Sequence, residues 1–190
     1  MTSFTYYQVR EGCAAALCIQ NSEILDKKIL KLRDKGIPTF GEKSGTGSTY
    51  PFSKEQVGML AIALSLNSGA LSDGKIGYIF YQCRDLIFRQ VNLAIESKRP
   101  KNMNMLFKIS EFTEGIDRKS HSAEGWRGKT DPCEFSDPLF LTREETYNYL
   151  DNQSGIGAVH IVPFTPLVIR AVDAAQETPP KKRGRPSRRG

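Results

Sequence analysis

Apolar residues recur at helical spacing along the first third of the chain, and polar turns divide them into separate helices. An alanine-rich stretch at residues 10–20 favours a first helix. The next helix is expected to begin at Ser22, whose hydroxyl can cap it, and to end at Gly36, two residues before Pro38. Its apolar stripe consists of Ile24, Leu25, Ile29 and Leu32.

A glycine-rich stretch joins this second helix to a third. Between Phe40 and Phe52 the chain holds too much glycine for a core element and suits two short strands around a tight tip. Ser53 and Gln56 match a capping box, which marks the start of the third helix. That helix continues with the apolar positions Val57, Leu60, Ala61 and Leu64. Helix, glycine-rich ribbon and helix in this order predict a winged helix-turn-helix.

The segments LRDKGI and GTGSTYPFSKEQVGMLAIALSLNSGALS, within residues 10–80, resemble the MerR-type winged helix of bacterial transcription regulators. In that family a recognition helix ends in a glycine turn and an arginine-rich wing closes on an aromatic residue. The chain departs from this pattern, because Ile29-Leu30-Lys31 stands in place of an Arg-Tyr-Tyr-like triplet and Lys43 is the single cation of the wing. The alternative is a helix, hairpin and helix unit of an ordinary globular domain.

The resemblance implies that the second helix enters the major groove of duplex DNA. Glu23 and Asp26 would repel phosphate, so the cations of this helix are its candidate contacts. A solvated helix face with mixed charges is the alternative. The candidate DNA-binding residues of this part of the chain are Lys27, Lys31 and Arg33 in the helix and Lys43, Ser44, Thr46 and Ser48 in the wing.

A long helix is predicted from Ser72 or Asp73 to about Ser97. Its apolar stripe can pack inside the monomer or against a second copy of the chain. Regulators that read two half-sites commonly dimerise through such a helix, so we expect a homodimer. The stripe consists of Ile76, Ile79, Phe80, Cys83, Leu86, Ile87 and Val91.

The sequence pattern changes after residue 100 to strands and short helices. Strands are expected at residues 105–112, 138–141 and 158–164, with a polar loop at 113–132. Thr142 and Glu145 match a capping box for a helix that ends near Asn152 and turns Tyr147 and Leu150 inward, and Pro166 can start a last helix.

The predicted fold class is therefore α+β. The chain is expected to divide into a winged helix-turn-helix at 1–70, a long helix at 71–100 that can serve dimerisation, a small α+β module at 101–176 and a disordered basic tail at 177–190.

The candidate chemistry of the body is sparse. The module shows no nucleophile, base and orienter set, so neither an enzyme nor a cofactor is predicted. His160 lies in an apolar strand, where a satisfied, partly buried side chain is expected rather than a catalytic base. The four cysteines form no Cys-x-x-Cys pair, which favours reduced structural thiols over a metal site. A site shared by Cys13, Cys18 and His121 is the alternative.

No apolar run reaches the length of a membrane helix, and the N-terminus lacks a secretory signal, so a cytoplasmic protein is expected. The net charge is +6, and the last ten residues alone contain six cations and no acid. The remaining 180 residues are therefore electrically balanced.

Arg183-Gly184-Arg185-Pro186 in this tail resembles an AT-hook, the peptide that binds the minor groove of A·T-rich DNA. Glycine lets the backbone reach the floor of a narrow groove, and the two arginines extend along it, where the negative potential is concentrated. A generic basic tail, a localisation signal and an RNA-binding segment are the alternatives. The flanking cations, expected to contact phosphates, are Lys181, Lys182, Arg188 and Arg189.

Together these features predict a nucleoid-associated DNA-binding transcription regulator of bacterial or phage type, whose partner is double-stranded, A·T-rich DNA. Two alternatives are kept. One is an architectural or phage DNA-binding protein without a single operator, and the other is an adaptor that recruits a protein partner through residues 101–176.

Overall fold

A computed structural model describes residues 3–20, 22–37, 51–68, 71–110, 134–152 and 158–180. Over these ranges the protein is α+β, with a group of helices packed against one face of a small antiparallel sheet. In chain order the elements are α1 (Tyr6–Leu17), α2 (Ser22–Asp34), α3 (Lys54–Ser68), α4 (Asp73–Gln82), α5 (Arg84–Glu96), β1 (Met103–Ser110), β2 (Glu134–Phe135), β3 (Leu139–Thr142), α6 (Arg143–Asp151), β4 (Ala158–Val162) and α7 (Phe164–Glu177).

Helix α3 is the centre of the helical part. It begins after the predicted capping box, in which Ser53 and Gln56 exchange side-chain and backbone hydrogen bonds. Its residues from Val57 to Leu64 are buried on every side, as expected of a helix that neighbours surround completely. Those neighbours are α1, α2, α4, α5 and α7.

The closest helix approach joins α1 to α7. A Cβ atom added at Gly12 would lie 2.4 Å from the backbone oxygen of Ala171 and 2.9 Å from Cβ of Ala175. Only a residue without a side chain therefore lets the two backbones meet. A second glycine, Gly58 on α3, also has close neighbours. A Cβ atom added there would lie 3.0 Å from Cγ1 of Val168 on α7 and 3.0 Å from Cγ1 of Val91 on α5.

Strand β1 is the central strand of the sheet and pairs antiparallel with the other three. β2 and β3 follow one another along one edge of β1, and β4 occupies the other edge. Alternate residues of β1 face opposite sides of the sheet. Met105 and Phe107 join Val162 of β4 in the helical core, and Leu106 faces the other side.

The start of α1 differs from the sequence prediction, whereas the end of α2 agrees with it. α1 begins at Tyr6, because Thr5 and Gln8 form a capping box that the prediction of a start near residue 10 overlooked. α2 ends as predicted: Gly36 has φ 84°, and Ile37 N donates to Leu32 O at 2.9 Å in a Schellman arrangement.

The single long helix predicted for residues 71–100 is wrong. Cys83, with φ −104° and ψ 14°, separates α4 from α5. The bend directs the apolar side chains of α4 towards α2 and α3, whereas those of α5 face α3 and α7. Most of the predicted dimerisation stripe is buried inside the chain: Ile76, Ile79, Phe80, Cys83, Ile87 and Val91 are buried, and Leu86 is half-buried.

Two predicted side-chain orientations are also wrong. Ile24 does not join the buried stripe of α2: it is 54% exposed, because the neighbouring helices cover only the side of Leu25, Ile29 and Leu32. Tyr147 of α6 is likewise 54% exposed. Thr146 takes the inward position instead, and its hydroxyl donates to Thr142 O at 2.7 Å.

Helix α7 belongs to the predicted module at 101–176, yet it packs on α1 and α3. Residues from both sides of the expected boundary at residue 100 thus share one hydrophobic core. Whether the module folds by itself stays a prediction. The secondary structure of this part agrees with the sequence except for β2, which was not predicted, and for shifts of one or two residues at element ends.

We expect Gly12→Ala to lower the free energy of unfolding by about 1–3 kcal/mol, as overpacking of a core does, although alanine gains about 1 kcal/mol of helix propensity over glycine. Ala15→Gly, at an exposed position of α1, is the matched control and should cost only about 1 kcal/mol. Urea denaturation measures both. A Gly12→Ala protein as stable as the parent would show that α1 and α7 do not approach this closely.

Candidate nucleic-acid interface

The solvent side of α2 carries two of the three predicted helix contacts. Lys27 and Lys31 lie one turn apart and are both exposed. Lys27 Nζ pairs with Glu23 Oε1 at 2.9 Å, and both side chains of this pair are more than two-thirds exposed, so water screens the pair strongly. Lys31 forms no ion pair with any described acid. Both lysines can therefore turn to an external phosphate.

Arg33 does not share that face. At 100° per residue it lies about 120° from Lys27 around the helix and about 160° from Lys31. It is exposed on the side of α2 next to α1, close enough to Tyr6 for its charge to act on the phenol. The sequence grouped the three cations because they are near in the chain, but the helix separates Arg33 from the two lysines.

The face around Lys27 and Lys31 is not purely cationic. Ile24 is 54% exposed and Leu30 is 50% exposed on the same side of α2, and Glu23 stands beside them. Two cations, one acid and two aliphatic side chains can contact phosphates and sugars. They provide no bidentate donor of the kind that reads base edges in the major groove.

Side-chain contacts of two α1 residues with one α2 carboxylate hold the two helices together. Tyr6 donates its hydroxyl to Asp26 Oδ1 at 2.9 Å, and Arg10 Nη1 lies 3.4 Å from Asp26 Oδ2. Burial and the hydrogen bond to Asp26 raise the pKa of Tyr6 above its ordinary value. Asp26, which was expected to face the groove, therefore serves the helix contact and does not repel phosphate from the outer face.

The opposite side of α1 holds the end of α7. Gln8 is buried, and its Nε2 donates to Thr178 O at 2.8 Å and to Ala175 O at 3.4 Å. Thr178 is the C-cap of α7, and the exposed Pro179 and Pro180 follow it. The segment that leads to the basic tail is thus anchored on the first turns of α1.

These two contacts place Thr178, after which the chain continues into the tail, on the same helix as the contact to α2. Tyr6 and Gln8 are two residues apart, about 3 Å along the helix axis. Asp26 and Thr178 therefore lie within roughly 25 Å of each other, since two side chains, their hydrogen bonds and the width of α1 are all that separate them. Ten extended residues span up to about 35 Å, so a chain rooted at Pro180 can reach past α2.

The other predicted contacts fall outside the described residues. In the wing these are Lys43, Ser44, Thr46 and Ser48. In the tail they are Lys181, Lys182, Arg183, Gly184, Arg185, Pro186, Arg188 and Arg189. The last residue of the predicted ribbon, Phe52, is described, and it forms an isolated antiparallel bridge with Phe4 through hydrogen bonds of 2.8 and 2.9 Å.

No group of three or more His, Cys, Asp or Glu side chains in the described ranges is placed to hold a metal ion. His121 and Cys133 lie outside those ranges. Cys13, Cys18 and Cys83 are free thiols. His160 is half-buried, and its ring stacks on Phe107 with a centroid separation of 5.5 Å, as the sequence predicted for a packed strand residue.

No described helix combines the length and the apolar character needed to cross a bilayer.

Comparison with known proteins gave no relative: no protein-family model and no curated protein sequence matches this chain.

The thiols should differ sharply in reactivity. Burial raises the pKa of Cys13 to about 12, and burial together with the charge of Asp137 raises that of Cys83 to about 11. At pH 8 both stay protonated, and the thiolate is the reactive form. In a Cys133→Ser background, we expect a thiol-specific disulfide reagent to modify the exposed Cys18 alone until denaturant is added. Reaction of Cys13 at the rate of Cys18 in the folded protein would contradict the buried environment.

Proposed function

We propose that this protein binds duplex DNA, preferring A·T-rich sequence, through the outer face of α2 and the C-terminal tail together. One observation carries the proposal: α1 is hydrogen-bonded through Tyr6 to α2 and through Gln8 to the root of the tail. That tail contains all six excess cations of an otherwise balanced chain. The two elements therefore have one common support.

A shared support matters because each element alone is weak. A two-lysine helix face and a ten-residue peptide each neutralise few phosphates. When one of them is bound, the other is held at a high effective concentration near its own site, and the combined affinity exceeds that of either part. If all six cations of the tail displace counterions, four at phosphates and two in the minor groove, the slope in a plot of log affinity against log salt is about −5.

Within this proposal α1, α2 and α3 form the helical part of a winged helix-turn-helix, with α2 as the helix that enters the groove. Support comes from the position of α2, which packs on α1 and α3 and ends in the glycine turn at Gly36. The dimer remains a prediction. Its interface would have to lie elsewhere than the stripe of α4 and α5, which the chain buries in its own core.

The composition of the α2 face favours the architectural alternative over a regulator with one operator. Lys27 and Lys31 suit phosphate contacts, whereas the described residues of the same face of α2 include no amide or guanidinium to read bases. The A·T preference then comes from the tail, through the shape of the minor groove. Footprinting separates the two: broad coverage weighted to A·T tracts supports an architectural protein, and one protected site supports a regulator.

The arginine pair of the tail provides the first test. Arg183→Ala with Arg185→Ala should abolish the preference for A·T-rich over G·C-rich duplexes in a gel-shift titration. Arg188→Ala with Arg189→Ala is the matched control, because it removes the same charge outside the Arg-Gly-Arg-Pro core. Both pairs should flatten the salt slope by about 1.8, and only the first should remove the preference. Equal loss of preference in both would mean that the tail acts only through its charge.

The helix face provides the second test. Lys27→Ala with Lys31→Ala should weaken binding to A·T-rich and G·C-rich duplexes alike and flatten the salt slope by about 1.8, as the loss of two phosphate contacts requires. The control is Arg84→Ala with Arg89→Ala, two exposed cations on α5. If the α5 pair weakened binding as much as the α2 pair, DNA would not select the α2 face.

A further inference from the structure

A groove runs along the side of the sheet that faces away from the helical core. It encloses about 340 Å³ between the start of β1, helix α6, strand β4 and the first turn of α7. This volume lies in the lower part of the range of small-molecule sites in proteins. Among the described elements only α6 packs on this face, since the larger helices pack on the other side of the sheet.

Apolar side chains that the fold leaves uncovered form one wall of the groove. Ile161 is 44% exposed and Tyr147 is 54% exposed, and both line the groove together with Leu150. Ile161 is paired with the fully buried Leu106, so it stands on a rigid strand. An aromatic ring beside aliphatic side chains is a surface on which another flat ring can stack.

The polar wall is held in place by hydrogen bonds. Asn104 Nδ2 donates to Thr146 Oγ1 at 3.1 Å, and Thr146 in turn donates to Thr142 O at 2.7 Å. The orientation of the Asn104 amide is thereby fixed. Its Oδ1 makes no hydrogen bond within the described part of the chain and can accept one from a ligand. Asn102, exposed at the same end of the groove, adds a second amide.

Arg143 is the one charged residue among the described residues that line the groove. Its guanidinium lies 5.7 Å from the centroid of the Tyr147 ring, and no described carboxylate pairs with it. Its Nη2 also donates to the Tyr147 hydroxyl at 3.5 Å, which places the guanidinium beside the hydroxyl end of that ring. A guanidinium without a described carboxylate partner, at the edge of an apolar groove, suits a phosphate, which it can bind through two parallel hydrogen bonds.

Further cations precede the groove in the chain. Lys98, Arg99 and Lys101 are all exposed in the segment that leads into β1. Lys101 lies close enough to α6 to help lower the pKa of Glu145, after the larger effect of the hydrogen bonds from Thr142. A strand whose base occupied the groove would therefore have cations beside its neighbouring phosphates.

We propose that this groove binds one unpaired nucleotide of a single-stranded nucleic acid. The base stacks on Tyr147 and lies against Ile161, its edge donates a hydrogen bond to Asn104, and its phosphate contacts Arg143. A paired base cannot enter, because its faces and its edge are already used in the duplex. The proposal goes beyond duplex binding by α2 and the tail, and it depends on different residues.

Photocrosslinking of the full-length protein tests this proposal. The probe is a short oligothymidylate with one 5-iododeoxyuridine, irradiated at about 0.3 M salt so that the phosphate contacts of the tail are screened. The crosslinked peptide is identified by mass spectrometry. We expect the crosslink in the peptide that contains residues 143–150. The same sequence annealed to its complement should give none there.

Variants make the test specific. Tyr147→Ala should reduce the crosslink about tenfold, the usual effect of losing one base–aromatic stack, while Tyr147→Phe should keep it. Arg143→Gln should reduce it as well. Tyr81→Ala is the matched control, because Tyr81 is an exposed tyrosine on α4, away from the groove, and it should leave the crosslink unchanged.

Three outcomes would overturn the proposal. They are a crosslink found only outside the α6 peptide, an equal yield with the duplex, and an equal yield with Tyr147→Ala.

A separate experiment replaces the oligonucleotide by 5-iododeoxyuridine monophosphate. Labelling as efficient as that of the oligonucleotide would assign the groove to a free nucleotide and exclude the strand. None of these outcomes alters the A·T preference assigned to the tail, so the two proposals fail separately.

Discussion

The contact between α1 and α7 at Gly12 is the constraint on which the arrangement of this protein depends. A hydrogen atom in place of a side chain lets the backbone of α1 approach Ala171 and Ala175 directly. Because α7 is the last described helix and α1 the first, this approach joins the two ends of the chain. Gly58 repeats the device on α3, so that one helix from the C-terminal part closes the core formed by the N-terminal ones.

That packing determines where α2 and the end of α7 lie relative to α1. α1 lies between α2 and the end of α7, and it is tied to each by side-chain hydrogen bonds, through Tyr6 and Arg10 on one side and Gln8 on the other. The core that stabilises the fold therefore also sets the distance between the helix with the two exposed lysines and the origin of the cationic tail. The sheet remains outside this arrangement, with its outer face only partly covered by α6.

Local patterns in the sequence were sufficient for most of the elements. The capping boxes at Ser53 and Thr142, the glycine turn at Gly36 and the alternation in β1 all depend on neighbouring residues, and the structure confirms them. The bend at Cys83 could not be predicted, because no proline or glycine marks it and the choice of neighbours for α4 and α5 is a matter of tertiary packing.

The candidate site was predictable only in part. The cations of α2 were visible in the sequence, but the separation of Arg33 and the link from Gln8 to Thr178 depend on contacts between distant residues. The groove beside Tyr147 was missed, because the pattern placed that ring inside.

The proposed binding of DNA by body and tail as one unit depends on α1, which holds both. The most direct test compares the affinity of the full chain for one A·T-rich duplex with that of an equimolar mixture of a chain ending at Pro180 and a peptide of residues 181–190, at the same salt concentration. A common support predicts that the full chain binds about a hundredfold more tightly than either component of the mixture, as tethering of two weak sites does. An affinity of the full chain equal to that of the free peptide would contradict it.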